Sequence, residues 1–202
     1  MSEQAHEQAL ADEQLRALLE QHRAAREQLP GWVGPALRLL PHVLITVTLL
    51  NLLIGLVAVV TPYLARWFGP GVADPIYGFY ALLCPQRHSH TWFFAGHPMA
   101  FEQRDVAMYI AFGLAGLVYA LTPRLRRPLA GRWLLLGIAP LLIDVAISTL
   151  GILPSTWFSR LWTGSLASFV IVWWSYPRYD AYLRRVQTHV ARLSETTVPD
   201  RS

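Results

Sequence analysis

The sequence has no lysine, a single cysteine and few charged residues. Charged side chains make up 15% of its 202 residues, against 53% hydrophobic residues, a balance too apolar for an ordinary soluble domain. The one cysteine, Cys84, excludes an internal disulfide. The net charge is +4, but the arginines are spread along the flanks of apolar segments. Because binding to a phosphate backbone requires a concentrated basic stripe, we expect no nucleic-acid partner.

Four long apolar segments predict an all-α, polytopic membrane protein. A bilayer core of about 30 Å is crossed by about 20 helical residues. The predicted spans are residues 39–63, 106–122, 133–153 and 158–176. We therefore expect a four-helix transmembrane bundle within residues 37–176. A polar helical tail (1–36) precedes it and a basic amphipathic tail (177–202) follows it.

The distribution of arginine predicts the orientation. The two tails and the second loop hold 13 arginines, against 4 in the first and third loops. The positive-inside rule therefore places both termini in the cytoplasm of a cell inner (plasma) membrane. The first 36 residues contain no apolar region of a signal peptide, so we expect the N-terminus to be retained. The loop formed by residues 66–104 then faces outward.

The outward loop contains the densest group of polar side chains. Asp74-Pro75 can start a short interfacial helix over residues 75–84. Three of the seven histidines and the single cysteine then fall within fourteen residues. Imidazole, thiolate and carboxylate groups bind zinc, copper or iron. The candidate metal ligands are therefore Cys84, His88, His90, His97 and Glu102. The alternative is that these groups are hydrogen-bonded within the loop.

Two arginines lie at the predicted outer ends of helices. Arg104, beside Asp105, opens the second span, and Arg160 opens the fourth. The simpler interpretation is a helix cap with a membrane anchor. The alternative is a clamp that binds the headgroup of an anionic lipid.

Two polar residues interrupt the predicted spans. At a rise of about 1.5 Å per residue, Asp144 lies ~16 Å from Trp133, and Asn51 lies ~18 Å from Leu39. These matched depths predict an intramembrane polar pair. A carboxylate at this depth is a functional candidate because it must be protonated, paired or next to water. The alternative is a polar clasp between the two helices.

The loop and the start of the second span resemble a known family. Small bacterial and archaeal polytopic membrane proteins, classified as a domain of unknown function, carry the hallmark Cys-His-Gln, Arg-Ser, a second Cys, Arg-Asp or Arg-Cys, and Tyr. The similar segments here are Cys84-x-Gln86, Gly96-His97-x-Met99-Ala100-Phe101 and Arg104-Asp105-x-Ala107-x-Tyr109. The resemblance covers about residues 70–170. This sequence departs from it at Pro85 (His in the family), His90 (Arg), Thr91 (Ser) and Glu102 (Cys), which implies a divergent member.

These patterns favour an accessory or scaffolding subunit of a larger membrane complex, such as an electron-transfer or photosynthetic complex. The altered hallmark, the long acidic N-terminal tail and the small-residue face of Ala107, Ala111 and Ala115 support this interpretation. The expected partners are membrane lipids and other membrane-protein subunits. The alternative is a small membrane enzyme or transporter that acts on a lipid, quinone or metal at the outer leaflet. The residues identify no cofactor.

Overall fold

The computed structural model describes residues 13–20, 39–123 and 126–195, which are mostly helical. From Val43 onward the described residues form five α-helices: α1 (Val43–Phe68), α2 (Pro70–Ala81), α3 (Gln103–Leu121), α4 (Gly131–Thr149) and α5 (Trp157–Glu195). Short 3-10 helices occupy Leu40–His42 and His88–His90. A two-residue hairpin pairs β1 (Phe93–Phe94) with β2 (His97–Pro98). The predicted helical class is confirmed.

Three of the described helices, α1, α3 and α4, are long and apolar enough to cross a membrane. The predicted span 158–176 lies inside α5, a helix of 39 residues. Arg160 and several serine, threonine and glycine residues make this segment less apolar than the other three. The structure therefore defines a helical membrane protein with three candidate spans.

The chain divides into two compact units, His42–Arg178 and a second unit formed by residues 1–41 and 179–202. In the second unit, the Tyr179 hydroxyl donates to the Leu40 carbonyl at 3.0 Å. In the tail predicted to be amphipathic, Leu183 is buried and Tyr182 is exposed. Of the predicted N-terminal polar helix, residues 13–20 are helical and exposed, and the rest lies outside the described residues.

Helices α1 and α3 pack closely because glycine faces the partner helix. A Cβ atom on Gly113 would lie 2.6 Å from Leu52 Cβ, and one on Gly116 would meet the Thr48 side chain. Ala115, beside them on α3, is also buried. In the small-residue face predicted on α3, Ala107 is buried as well and Ala111 is half-buried, so this face packs inside the unit.

The loop before α2 is shorter than the sequence suggests. Gly69 has a φ of 76°, a value that glycine adopts readily, and α2 begins directly after it at Pro70 instead of at residue 75. Proline fits the first turn of a helix because its missing N–H is not needed there. Helix α2 also ends at Ala81, so Cys84 lies three residues beyond it and not at its end.

The last turn of α2 and the segment after it pack into the apolar core of the unit. Tyr80 and Phe101 are buried, their rings meet edge to face at 4.5 Å, and the Tyr80 hydroxyl donates to the Ile54 carbonyl of α1 at 2.5 Å. The backbone N–H of Ala100 donates to the Ala58 carbonyl at 3.2 Å. These contacts fix the loop against α1.

Candidate functional site

A cavity of about 290 Å³ lies where the segment after α2 meets the starts of α3 and α5 and the end of α4. We call it the polar cavity. Its lining includes Val145, Ser148 and Thr149 of α4. The charged and titratable residues of the lining are Arg87, His90, Glu102, Arg104, Asp105 and Arg160.

Gln86 holds the loop beside the polar cavity. Its backbone has a φ of 51°, in the left-handed region that is uncommon for residues other than glycine. Its side-chain Nε2 donates to the Tyr77 carbonyl at 3.0 Å and to the Ala100 carbonyl at 2.9 Å. These two hydrogen bonds connect α2 to the segment between β2 and α3. Gln86, the glutamine of the family hallmark, therefore has a structural role.

Arg104, which lines the polar cavity, forms an ion pair with Asp144 of α4. Nη2 of Arg104 donates to Asp144 Oδ2 and, at 3.2 Å, to Ser155 Oγ. Ser155 Oγ donates to the same carboxylate oxygen at 2.8 Å. The Arg104 and Asp144 side chains are 18% and 17% exposed. Nε of Arg104 is buried and has no partner among the described residues.

The predicted pair of Asn51 and Asp144 is replaced by these contacts. Nδ2 of Asn51 donates to the Val47 carbonyl of its own helix at 2.8 Å. From the first residues of their helices, Val43 and Gly131, Asn51 lies about 12 Å along α1 and Asp144 about 20 Å along α4. The two depths no longer match because α1 begins at Val43 and α4 at Gly131, and not at the ends of the apolar segments, Leu39 and Trp133. Asp144 thus lies near the end of α4 and within reach of the first turn of α3.

Arg160 is the most buried charged residue of the polar cavity, at 8% exposure. Its Nη1 donates to Gln103 Oε1 at 3.1 Å, and its Nη2 donates to the Ser155 carbonyl at 2.7 Å. Among the described residues it forms no ion pair. Arg104 and Arg160, for which a clamp was the alternative interpretation, line one cavity. Arg104 is paired with a carboxylate, and Arg160 is held by uncharged oxygens.

Glu102 anchors the loop that closes the cavity. Its Oε1 accepts from the Arg87 backbone N–H at 3.1 Å and lies 3.9 Å from Arg87 Nε. Its Oε2 lies 3.3 Å from His90 Nδ1. Both carboxylate oxygens are therefore engaged by the segment that follows Cys84.

Cys84 and Asp105 lie beside Glu102. The Cys84 residue is 3% exposed, and its thiol is hydrogen-bonded to the Asp105 carboxylate. Burial, followed by this hydrogen bond, raises the pKa of the Cys84 thiol to about 11. One ligand atom from each of Cys84, Glu102 and Asp105 lies within 4.8 Å of the others, so these three residues could hold a metal ion.

The predicted metal-ligand set is divided in the structure. Cys84 and Glu102 lie together, and His90 contacts Glu102. His88 instead packs against the edge of the Phe93 ring at 5.7 Å, and His97 pairs with Phe94 in the hairpin. Asp105 joins the group although the sequence suggested a helix cap. The hallmark Arg-Asp or Arg-Cys, which allows a thiol at this position, was the signal that could have identified it.

The comparisons with known proteins agree with this class of helical membrane protein. Residues 84–174 match the model of a family described as a predicted membrane protein (DUF2085). An uncharacterized protein of Methanocaldococcus jannaschii is 26% identical over 104 residues, which cover 50% of this chain and 67% of the relative. No solved structure matches the chain. The predicted resemblance to a membrane-protein family of unknown function is confirmed, and the matched range begins at Cys84 and includes Arg104, Asp144 and Arg160.

Proposed function

We propose that the protein crosses a cell inner membrane four times, with both termini in the cytoplasm. The fourth crossing is residues 158–176 of α5, whose Phe158, Trp162 and Phe169 side chains are exposed, as lipid contact requires. The excess of arginine in the two tails and the second loop supports this orientation. The polar cavity then lies at the outer end of a four-helix bundle.

We propose that the polar cavity binds the anionic group of a ligand. The observation that carries this proposal is the burial of Arg160 with uncharged partners. A guanidinium stays protonated in proteins, so the charge cannot be lost by deprotonation. Removing an ion from water costs several kcal/mol unless an opposite charge offsets it. A ligand anion beside Arg160 supplies that charge, and the unpartnered Nε of Arg104 offers a further donor.

The chemistry of the loop supports binding over covalent catalysis. The thiolate of cysteine is the nucleophile, and a pKa of about 11 keeps the Cys84 thiol protonated at neutral pH. Glu102 is engaged by Arg87 and His90, which leaves Arg160 to recognise the ligand. This supports the lipid-binding alternative at the outer leaflet. It argues against a quinone, which carries no anionic group.

The proposal is tested by thermal unfolding of the purified protein in an uncharged detergent while inorganic phosphate is added. A ligand that binds the folded state raises the unfolding temperature. We expect phosphate to stabilise the wild type and not Arg160→Gln. Arg132→Gln, an exposed arginine at the opposite end of α4, is the matched control and should respond like the wild type. An equal response of Arg160→Gln would contradict the proposal.

A second candidate function is that of an accessory subunit, and a specific observation favours it. Leu15, Leu18 and Leu19 are 55%, 52% and 40% exposed on the helical segment 13–20. These leucines fall three and four residues apart, a spacing that places them on one face for a partner helix. Purification from native membranes should then give a stoichiometric protein partner that is lost in the Leu15→Ser, Leu18→Ser variant. A chain that purifies alone from native membranes would contradict this candidate.

A further inference from the structure

The polar cavity contains unpaired charges of both signs. Arg160, from the first turn of α5, forms no ion pair among the described residues, and neither does Asp105, from the first turn of α3. The partner of the Asp105 carboxylate is the uncharged thiol of Cys84. Arg104 attracts Asp105 only from beyond ion-pair distance, so a simple anion at Arg160 would leave Asp105 with no cation in direct contact. A ligand that carries one charge of each sign would satisfy both residues.

One side of the polar cavity is continuous with exposed apolar surface. Leu83 and Val145 line the cavity and are 52% and 37% exposed. Leu142, one turn before Val145 on the same face of α4, is 62% exposed. In a membrane protein, such a surface contacts hydrocarbon chains. A ligand seated in the cavity can therefore extend an apolar part along α4.

We infer that the ligand is a lipid-like amphiphile whose headgroup carries a phosphate and a primary ammonium group. This inference rests on the proposed anion site. The phosphate contacts Arg160 and Arg104, the ammonium group contacts Asp105, and a hydrocarbon chain lies against Val145 and Leu142. A primary ammonium suits Asp105 because it has three N–H donors, whereas a quaternary ammonium has none. The volume of about 290 Å³ suits a headgroup, with the chains outside.

The experiment compares phosphate compounds that differ by one feature at a time. Short-chain phosphatidylethanolamine, phosphatidylglycerol and phosphatidylcholine with identical acyl chains test the ammonium group. Free phosphoethanolamine and inorganic phosphate test whether the apolar chains are needed. Affinities are measured by isothermal titration calorimetry on the full chain in an uncharged detergent that contains a chelator.

We expect phosphatidylethanolamine to bind at least tenfold more tightly than each of the other four compounds. Asp105→Asn should reduce its affinity to that of phosphatidylglycerol, whose own affinity should not change. Arg160→Gln should weaken every phosphate compound at least tenfold. The exposed residues Asp74 and Arg132 provide the matched controls Asp74→Asn and Arg132→Gln, which should bind like the wild type. If a cavity variant does not fold, the ligand series on the wild type still decides between the headgroups.

The other outcomes overturn the inference in distinguishable ways. Equal binding of phosphatidylethanolamine and phosphatidylglycerol, both dependent on Arg160, would reject the ammonium contact and keep the anion site. Free phosphoethanolamine as tight as its lipid would reject the lipid and indicate a soluble ligand. In a parallel titration without the chelator, binding that requires added zinc and is lost in Cys84→Ser would assign Asp105 to a metal. Failure of every phosphate compound would reject the proposed function as well.

Discussion

The arginines of the polar cavity differ in what neutralises them, and this difference determines what each can do. Arg104 has Asp144 and Arg87 has Glu102, so their charges are offset within the protein. Arg160 has the Gln103 side chain and a main-chain oxygen. Hydrogen bonds to uncharged oxygens do not cancel its charge, and the more distant carboxylates of Glu102 and Asp144 are opposed by burial and by Arg104. Arg160 is therefore the residue that attracts an anion.

The ion pair of Arg104 and Asp144 is tested by a double-mutant cycle with Arg104→Gln and Asp144→Asn. Residues in direct contact couple by about 0.5–3 kcal/mol in stability, and we expect a value in this range. Chemical unfolding in detergent supplies the four free energies. Asn51→Ala combined with Asp144→Asn is the control cycle, which should be additive within about 0.5 kcal/mol because Asn51 bonds to its own helix. Strong coupling in the control cycle would show that Asn51 and Asp144 interact, and it would contradict the contacts described here.

The Cys84 thiol should make stability depend on alkaline pH. Its pKa is about 11 in the fold, against 9.0 for an ordinary thiol, so the fold favours the protonated form. This contribution is fully present below about pH 9 and is lost as the pH rises towards 11. We expect the free energy of unfolding to fall more steeply over this window in the wild type than in Cys84→Ser. Parallel pH profiles would show that the thiol is not held by burial and Asp105.

At the scale of elements, the packing of the unit that contains the polar cavity depends on the close approach of α1 to α3. This approach depends on glycine at positions where a Cβ atom would meet backbone atoms. Gly113→Ala should therefore destabilise the protein by about 1–3 kcal/mol through overpacking. Thermal unfolding measures the effect.

The matched control for that variant is Gly78→Ala in α2, where nothing lies within 4 Å of an added Cβ. An alanine in an exposed helix interior should stabilise by about 0.5–1 kcal/mol relative to glycine. If Gly113→Ala were also neutral or stabilising, the close packing of α1 on α3 would be contradicted.

Hydropathy and helix-breaking proline and glycine residues predict where the helices lie. They do not predict which faces of the helices pack against one another. The apolar segments identify α1, α3 and α4, whereas the predicted start of α2 at residue 75 is five residues too late. The partner of Asp144 could not be predicted, because depth along a helix does not specify the direction in which a side chain points. The grouping of Cys84, Glu102 and Asp105 depends on how a loop of about twenty residues folds back, and local sequence carries little information about that.

At the scale of the whole molecule, the functional proposal depends on the topology. A cavity that binds a lipid headgroup at the outer leaflet requires that the tails and the second loop lie in the cytoplasm. In a Cys84→Ser background, cysteines at Pro128 and Glu195 should be labelled by a membrane-impermeant reagent only after the membrane is opened. A cysteine at Ser89, exposed in the outward loop, should be labelled in intact cells. Labelling of position 128 or 195 from outside would reverse the orientation.

The most direct measurement of the central claim is native mass spectrometry of the protein released from its own membrane in an uncharged detergent. We expect the wild type to retain one phosphate-bearing molecule per chain at activation energies that remove loosely bound lipid. Arg160→Gln should lose that molecule, and Arg132→Gln should keep it. A wild type with no such molecule, or an Arg160→Gln variant that retains it equally well, would contradict the account.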